Sequence, residues 1–322
     1  MTGLKGRLFR LRERLRTAPP IAAGLYIISN IRAAVSGRLL NARGERATPS
    51  GVAICLRFRD EAHYLDEWIR YYRAAGIAHF YLYNNFSADG YQAVLAPHLA
   101  AGYVTLIEWR RRPASPAAEE DCIRRAIGRF EWVGFFDADE FVVIKDSSSI
   151  PAFLTGFGNA PGVALHWYYF GSNGHRQRPV GAVVASYTRR AAAPNRHVKC
   201  FVQPAQVSEN RNSHCWFFRG ARFAVDEAGH AVFGSIAKPR AERAWINHYY
   251  FKSQQDYLQK AQVKSTLDAF GLRYNTRVST RAEAAMREAD EVEDLSALHY
   301  WRANVSKNPA INIQIHENTS RT

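Results

Sequence analysis

Two aspartates one residue apart, Asp137 and Asp139, close the apolar stretch WVGFFDADEF (residues 132–141), and a third carboxylate, Glu140, follows directly. If the stretch runs on as an extended strand, alternate residues face the same way, so Asp137 and Asp139 share one side while Ala138 and Glu140 take the other. Two carboxylates about 4 Å apart repel by about 4 kcal/mol at an effective dielectric near 20. Such a pair calls for a cation. Hard oxygen ligands suit Mg²⁺ or Mn²⁺, and an ion held by one or two carboxylates keeps positions open for phosphate oxygens. The same residues also read as a solvated acidic turn. With twelve aspartates in the chain a D-x-D carries little weight alone, and its place after a buried run is what gives it weight.

The elements that would position the pair are legible from Gly51 onward. GVAICLRF reads as a strand, and EAHYLDEWIRYYRAAG as a helix whose Leu65, Trp68, Ile69 and Tyr72 share a face and which Gly76 ends. HFYLYNN is a second strand, SADG a turn, YQAVLAPHLAAG a helix and YVTLIEW a third strand. SPAAEEDCIRRAIG then reads as a helix capped by Ser115, with Pro116 in its first turn. WVGFFDADEF is expected to be the fourth strand. Strand and helix alternating in this order predict an α/β fold with a doubly wound, parallel sheet. Its strands are buried on both faces, hence the nearly continuous apolar runs. In such sheets ligands lie outside the carboxyl ends of the strands, where the acidic pair falls. The second half is richer in aromatics, arginines and histidines, and GVALHWYYFG, AVVASYTRR and HVKCFVQP read as short mixed strands completing the same domain.

The chain of 322 residues carries a formal charge of +14. Ten basic residues stand against Glu13 and Glu45 in residues 1–46, which points to phosphate-bearing partners. Leu4, Leu8, Leu11 and Leu15 form one apolar stripe between arginines, so residues 1–20 read as a helix on an anionic membrane surface, docked on the protein's own body or frayed in solution. APPIAAGLYIISNIRAAVSG, broken by two prolines, Asn30 and Arg32, falls short of a spanning helix and is a weak signal peptide. Cys55, Cys122, Cys200 and Cys215 are widely spaced and give neither a zinc pattern nor a disulfide framework, so a reducing cytoplasm is the expected setting.

RFRDEAHYLDEWIRYYRAAGIAHFYLYNNFSADG (residues 57–90) resembles the opening of glycosyltransferases of family 92 and their family-2-like bacterial relatives. FFDADEF, WYYFGSNGH (Trp167 to His175), HVKCFV with Lys199, NSHCW with His214, and INHYYFKSQQDYLQK (Ile246 to Lys260) follow in the family's order. The resemblance covers roughly residues 50–270. It implies a GT-A fold over residues 48–300, between a basic arm (1–47) and a tail (301–322). It implies a transferase that moves a sugar from a nucleotide-diphosphate donor, expected to be UDP-linked, to a glycan or lipid-linked acceptor. The enzyme would sit in the cytoplasm, peripheral on the inner membrane. Asp139 is expected to ligate Mn²⁺ (or Mg²⁺) directly, Asp137 to meet the ribose or the ion through water, and His248 to supply a third ligand. The ion would neutralise the leaving diphosphate.

Arg57 and Arg59 follow the first strand and are candidates for phosphate or base. Glu61 and Asp89 hold acidic positions of the family pattern near the nucleotide, with Asn85 beside them; Glu61 equally suits a helix first turn and Asp89 a plain turn. Asn84 departs from the family, replacing the acid of its Y-D-N. Lys199 and Lys252 are candidates to offset phosphate charge, and Trp167 and Phe170 either stack on a sugar or belong to the core. Glu140, Asp226, Glu227 and His214 are candidate general bases for an inverting transfer, and FAVDEAGH also reads as a hairpin. Two other classes compete. A basic nucleic-acid-binding module would explain the arginines, but no recognition helix, RNA-binding motif or zinc signature is present, so no nucleic acid is expected. A phosphohydrolase would use the aspartates as nucleophile and acid, yet Phe141 stands where it expects Thr or Val.

Overall fold

The structure is a computed structural model that describes residues 49–112, 115–267 and 280–307, together with Gly24 and Ile28. The leucine stripe of the basic arm, and with it the membrane-surface expectation for residues 1–20, lies outside the described residues.

Strand β1 (Val52–Phe58) shows why the first run is continuously apolar. Val52, Ile54, Leu56 and Phe58 enter one core, while Ala53 and Cys55 enter a second on the opposite face of the sheet. Burial on both faces removes the alternation of polarity that a half-exposed strand would show. Helix α1 (Ala62–Ala74) packs on the first face with Leu65, Trp68, Ile69 and Tyr72 fully buried. Strand β2 (His79–Asn84), helix α2 (Tyr91–Ala100) and strand β3 (Val104–Glu108) follow, then helix α3 (Ala117–Ala126) and strand β4 (Trp132–Phe135). These four strands are parallel in the order β3-β2-β1-β4. Helix α3 starts one residue later than its sequence suggests, and no side chain caps its amide groups.

The remaining elements extend the sheet with mixed directions. They are β5 (Glu140–Ile144), α4 (Ile150–Thr155), β6 (Gly162–Tyr169), α5 (Val183–Ser186), β7 (Arg189–Arg190), β8 (Val198–Val202), β9 (Val207–Asn212), β10 (Cys215–Phe218), β11 (Ala224–Asp226), β12 (Ala231–Val232) and β13 (Ala244–His248), then α6 (Gln254–Leu267), α7 (Thr280–Glu288), β14 (Val292–Glu293) and α8 (Ser296–Lys307). The sheet continues past β4 through β8, β6, β11 and β12, with β8 antiparallel to both its neighbours. Strand β13 runs parallel to β6 and antiparallel to β5. The α/β fold with a mixed sheet between helices is therefore the one expected.

Three expectations change. WVGFFDADEF is not one strand: β4 stops at Phe135, residues 136–139 turn, and β5 begins at Glu140. The AVVASYTRR segment is helical at Val183–Ser186, because Glu67 of α1 accepts the N–H groups of Val183 and Val184 at 2.7 and 3.1 Å and so nucleates a turn. Its short apolar run fits either structure, and the partner decides. The boundary at residue 300 falls inside α8, whose Tyr300 and Trp301 are buried in the main core, so the domain continues into the segment expected to be a tail.

Close packing makes Gly134 in β4 a sensitive position. A Cβ there would lie 2.5 Å from the Phe136 ring and 2.6 Å from that of Phe201. Gly134→Ala is expected to destabilise the protein by about 1–3 kcal/mol, read as a lowered denaturant midpoint at an unchanged slope.

Candidate functional site

The acidic turn is fixed from both sides. The Glu140 amide donates to the Asp137 carbonyl at 3.0 Å, and the Glu140 side chain folds back so that its Oε2 accepts the Asp137 N–H at 2.9 Å. Strand β5 pairs with β13 along one edge only, and α1 covers the carbonyls of the other. Trp68 Nε1 and Tyr72 Oη donate to the Glu140 carbonyl at 3.1 and 3.0 Å, and Tyr71 Oη donates to that of Val142 at 2.8 Å. The aromatic face of EAHYLDEWIRYYRAAG therefore sets the depth of the carboxylates.

Lysines and a histidine reach the turn from distant segments. Antiparallel pairing of β8 with β4 carries Lys199 just past the end of β4, where its Nζ lies 2.7 Å from Asp137 Oδ2 and 3.2 Å from Glu140 Oε2. The Lys199 side chain is 1% exposed, whereas that of Asp137 is 48% exposed. The register of β13 sets His248 opposite Glu140 and beside Tyr169. Its Nε2 lies 3.4 Å from Asp139 Oδ1 and its Nδ1 3.8 Å from Glu140 Oε1. Lys260 of α6 forms an ion pair with Asp139 Oδ2 and sits over the Tyr250 ring. Lys252 lies 3.5 Å from the centre of the Tyr64 ring and 3.9 Å from Glu61 Oε2.

These contacts split the carboxyls electrostatically. Burial alone would raise all of them. At Asp137 the Lys199 charge overcomes burial, and at Asp139 the Lys260 and His248 contacts do so, holding both well below the usual carboxylate range. At Glu140 and Glu61 burial dominates and both are raised, against the pull of Lys199 and Lys252 respectively. Lys199 and Lys260 are pushed above their ordinary values because their carboxylate partners outweigh burial.

The expectation that Glu140 points away from the aspartates is thus corrected: the turn reverses the alternation and brings all three carboxylates into one cluster. Asp226 lies elsewhere. It sits at the β11 to β12 hairpin, accepts the N–H groups of Ala228 and His230, and pairs with Arg240 at 2.7 Å. It registers with Ala164 of β6, five residues from Tyr169, which registers with His248; at about 3.3 Å per residue that separates the two by roughly 17 Å along the strand. Glu227 is likewise occupied with the Glu242 and Arg243 amides.

Asp89 and Asn85 are engaged in holding loops. Asp89 accepts the Ala62 N–H at the start of α1, and the Asn85 amide donates to the Trp109 and Arg111 carbonyls. His214 lies against Trp167, and its Nδ1 is 2.9 Å from the Val198 carbonyl. Burial and nearby Lys199 push its imidazole down to about 4, so it is neutral at physiological pH. Phe170 is fully buried against Tyr249 and belongs to the core, while Trp167 adjoins His197, His214 and His248. Arg57 Nε and Arg59 Nε and Nη1 are buried without a hydrogen-bond partner. A cleft of roughly 360 Å³ between Trp109 and the outer face of α3 is separate from this cluster, and its Arg124 and Arg125 are paired with Glu120 and Asp121.

Two residues near the turn went unread in the sequence. Lys260 stood at the end of a matched motif without a role, and Glu119 of α3 looked like an ordinary first-turn acid. Each carries only a charge as its local signal.

For a divalent ion the donor set is small. Among the described residues no three His, Cys, Asp or Glu side chains converge on one ion position. Asp139 Oδ1 and His248 Nε2 form a carboxylate and imidazole pair, with Glu140 Oε1 and His248 Nδ1 buried behind them, 3.8 Å apart and without a hydrogen bond. An ion that keeps several waters and takes its other ligands from substrate phosphates needs no more than such a pair. The residues fit Mn²⁺ or Mg²⁺ in that sense, with Lys260 as the competing cation.

Fold and site together define an α/β protein whose central parallel strand ends in a carboxylate turn flanked by two lysines and a histidine. The chain belongs to glycosyltransferase family 92, whose model matches residues 50–274. A glycosyltransferase family 92 protein of Oryza sativa subsp. japonica is 32% identical over 163 residues, 49% of this chain and 28% of that protein. One of Ricinus communis is 26% identical over 226 residues, 68% of this chain and 38% of its own length. The chain thus spans about a third of the length of these relatives. Among solved structures, a mannosyltransferase from Pyrobaculum calidifontis in complex with GDP-Man and Mn²⁺ aligns with a TM-score of 0.37 at 12% identity, covering 94% of this chain and 86% of that one. No described helix is long and apolar enough to cross a membrane.

Proposed function

We propose that the protein is a metal-dependent glycosyltransferase that moves a sugar from a nucleotide-diphosphate donor, UDP-linked, to a glycan or lipid-linked glycan. The observation that carries this reading is the acidic turn at the carboxyl end of β4, where Asp139 and His248 face one another, with Arg57 Nε and Arg59 Nη1 buried without a hydrogen bond at the end of β1. In open α/β sheets that edge is where nucleotides bind.

In this reading Asp139 and His248 hold Mn²⁺ or Mg²⁺, which when bound supplies Lewis-acid stabilisation of the departing diphosphate. Arg57 and Arg59 donate to phosphate oxygens or to the base, and Lys252 and Lys260 add positive charge where the leaving group gains negative charge. Lys199 serves differently. It is spent on Asp137 and Glu140, and so holds the turn in shape while leaving Asp137 half exposed for a ribose hydroxyl. Glu61, beside Lys252, shapes the same rim. Trp167 and the neutral His214 line the side nearest the acceptor. His214 is the remaining candidate for removing the acceptor's proton, since Glu140 is wholly enclosed and occupied by Lys199 and the Asp137 N–H. The basic residues 1–20 would rest the enzyme on an anionic membrane surface, close to a lipid-linked acceptor.

The test is a donor-hydrolysis panel over UDP- and GDP-sugars, with Mn²⁺ and with chelator, reading release of the nucleoside diphosphate. Metal-dependent release from one sugar nucleotide class is the expected result. Absence of release from every donor, together with no nucleotide binding, would remove this reading.

A further inference from the structure

One buried acid near the acidic turn has no role in the reading so far. Glu119, in the first turn of α3, is 4% exposed, and its Oε2 has no hydrogen-bond partner. Leaving a buried carboxylate oxygen unpaired is costly, so such an atom points to a missing donor. The Arg57 charge, the Ser115 side chain and the residue's own backbone N–H favour its ionised form against burial. Arg57, the next residue after Cys55 on the α3 face of β1, has an unpaired Nε of its own. Arg57 lies near the end of β1, the strand that packs against α3 on one face and pairs with β4, which leads into the acidic turn.

The end of β2 offers nothing comparable. Asn84 replaces the family's acid there and is fully engaged: Nδ2 donates to Tyr91 Oη and Glu108 Oε2, each at 2.9 Å, and Oδ1 accepts the Ser87 N–H at 2.9 Å. An aspartate at this position would face Glu108 with like charge.

We propose that Glu119 is the specificity-determining residue of the donor site, its free Oε2 accepting the imide N–H of a uracil ring while Arg57 donates to a flanking carbonyl; this rests on the donor-site reading above. The chemistry selects the base. Uracil presents one N–H between two carbonyl oxygens, which matches one free acceptor beside one free donor. Cytosine presents a lone pair at the same ring nitrogen and meets the carboxylate with repulsion. Burial raises the Glu119 carboxyl, and an N–H donor arriving with the ligand favours its ionised form.

The experiment is calorimetric titration of UDP, CDP and GDP, with saturating Mn²⁺, into the full chain and into Glu119→Gln. The wild type is expected to prefer UDP to CDP by about tenfold or more. Glu119→Gln should weaken UDP roughly tenfold to a hundredfold and narrow or reverse the UDP to CDP ratio, because the amide can donate to the cytosine nitrogen. Equal binding of UDP and CDP by the wild type overturns the proposal, and so does an unchanged ratio in the variant. Weakening of both nucleotides by the same factor would assign Oε2 to the ribose and likewise overturns it. If Glu119→Gln does not fold, the wild-type ratio alone decides. Binding of none of the three by the wild type would instead sink the donor-site reading itself.

Discussion

Asp139→Asn is expected to lower donor turnover by roughly two to three orders of magnitude while leaving the fold intact. Both halves follow from the contacts. Asp139 is the one aspartate of the turn that faces His248, and asparagine keeps its shape but loses the charge that would hold a cation. The partner left behind is Lys260, whose side chain is 27% exposed and so can turn its ammonium to water instead of being stranded. Stability should therefore change much less than rate. Single-turnover donor hydrolysis beside a denaturant melt separates the two, and a variant retaining half the wild-type rate would take Asp139 out of the reaction.

Lys199→Met should show the reverse pattern, a loss of stability ahead of any loss of chemistry. Methionine fills a similar volume, so the change isolates charge. Removing one member of a buried ion pair costs about 3–5 kcal/mol, because the other is left uncompensated. Here the lower end is expected, since Asp137 can turn to solvent and only Glu140 is wholly enclosed. The pH dependence carries the sign. In the wild type, Asp137 and Asp139 are held low, so the folded state binds fewer protons than the unfolded one and stability falls as pH drops through the carboxylate range. Glu140 is already raised, and loss of Lys199 removes the charge that opposes this. Its folded form then binds more protons than the unfolded chain, so the deficit of Lys199→Met should shrink as pH falls from 7 towards about 4.5. Denaturant midpoints at several pH values check this, and adding Glu140→Gln should restore much of the loss. A deficit that is constant with pH would assign Lys199 to packing alone.

What could be read in advance follows the range of the interactions. β1, α1, β2 and α2 were legible because burial on two faces, or on one helical stripe, is written in nearest neighbours. The family's motifs added Asp137, Asp139, Lys199 and His248, which the structure brings into one cluster although they come from the turn after β4, from β8 and from β13. The break after Phe135 was not legible, since nothing local distinguishes a strand that continues through D-A-D-E from one that turns there. Tyr72 and Trp68, donating to the Glu140 carbonyl from more than sixty residues away, impose it. Asp226 is a candidate by side-chain type alone, yet its own hairpin and Arg240 account for it. Lys260 escaped because its partner lies 121 residues earlier. Glu119 escaped because a first-turn glutamate is ordinary until its burial and its empty oxygen are seen.

In the proposed reading, the turn carrying Asp137 and Asp139 is where a nucleoside diphosphate and a divalent cation meet. Calorimetric titration of UDP into the wild type with Mn²⁺, into the wild type with chelator, and into Asp139→Asn with Mn²⁺ tests it most directly. Binding should be tight in the first, and at least tenfold weaker in the second and the third alike, because each removes one side of the same ion contact. Equal affinity in all three would contradict the claim and place the nucleotide, if it binds at all, away from the acidic turn.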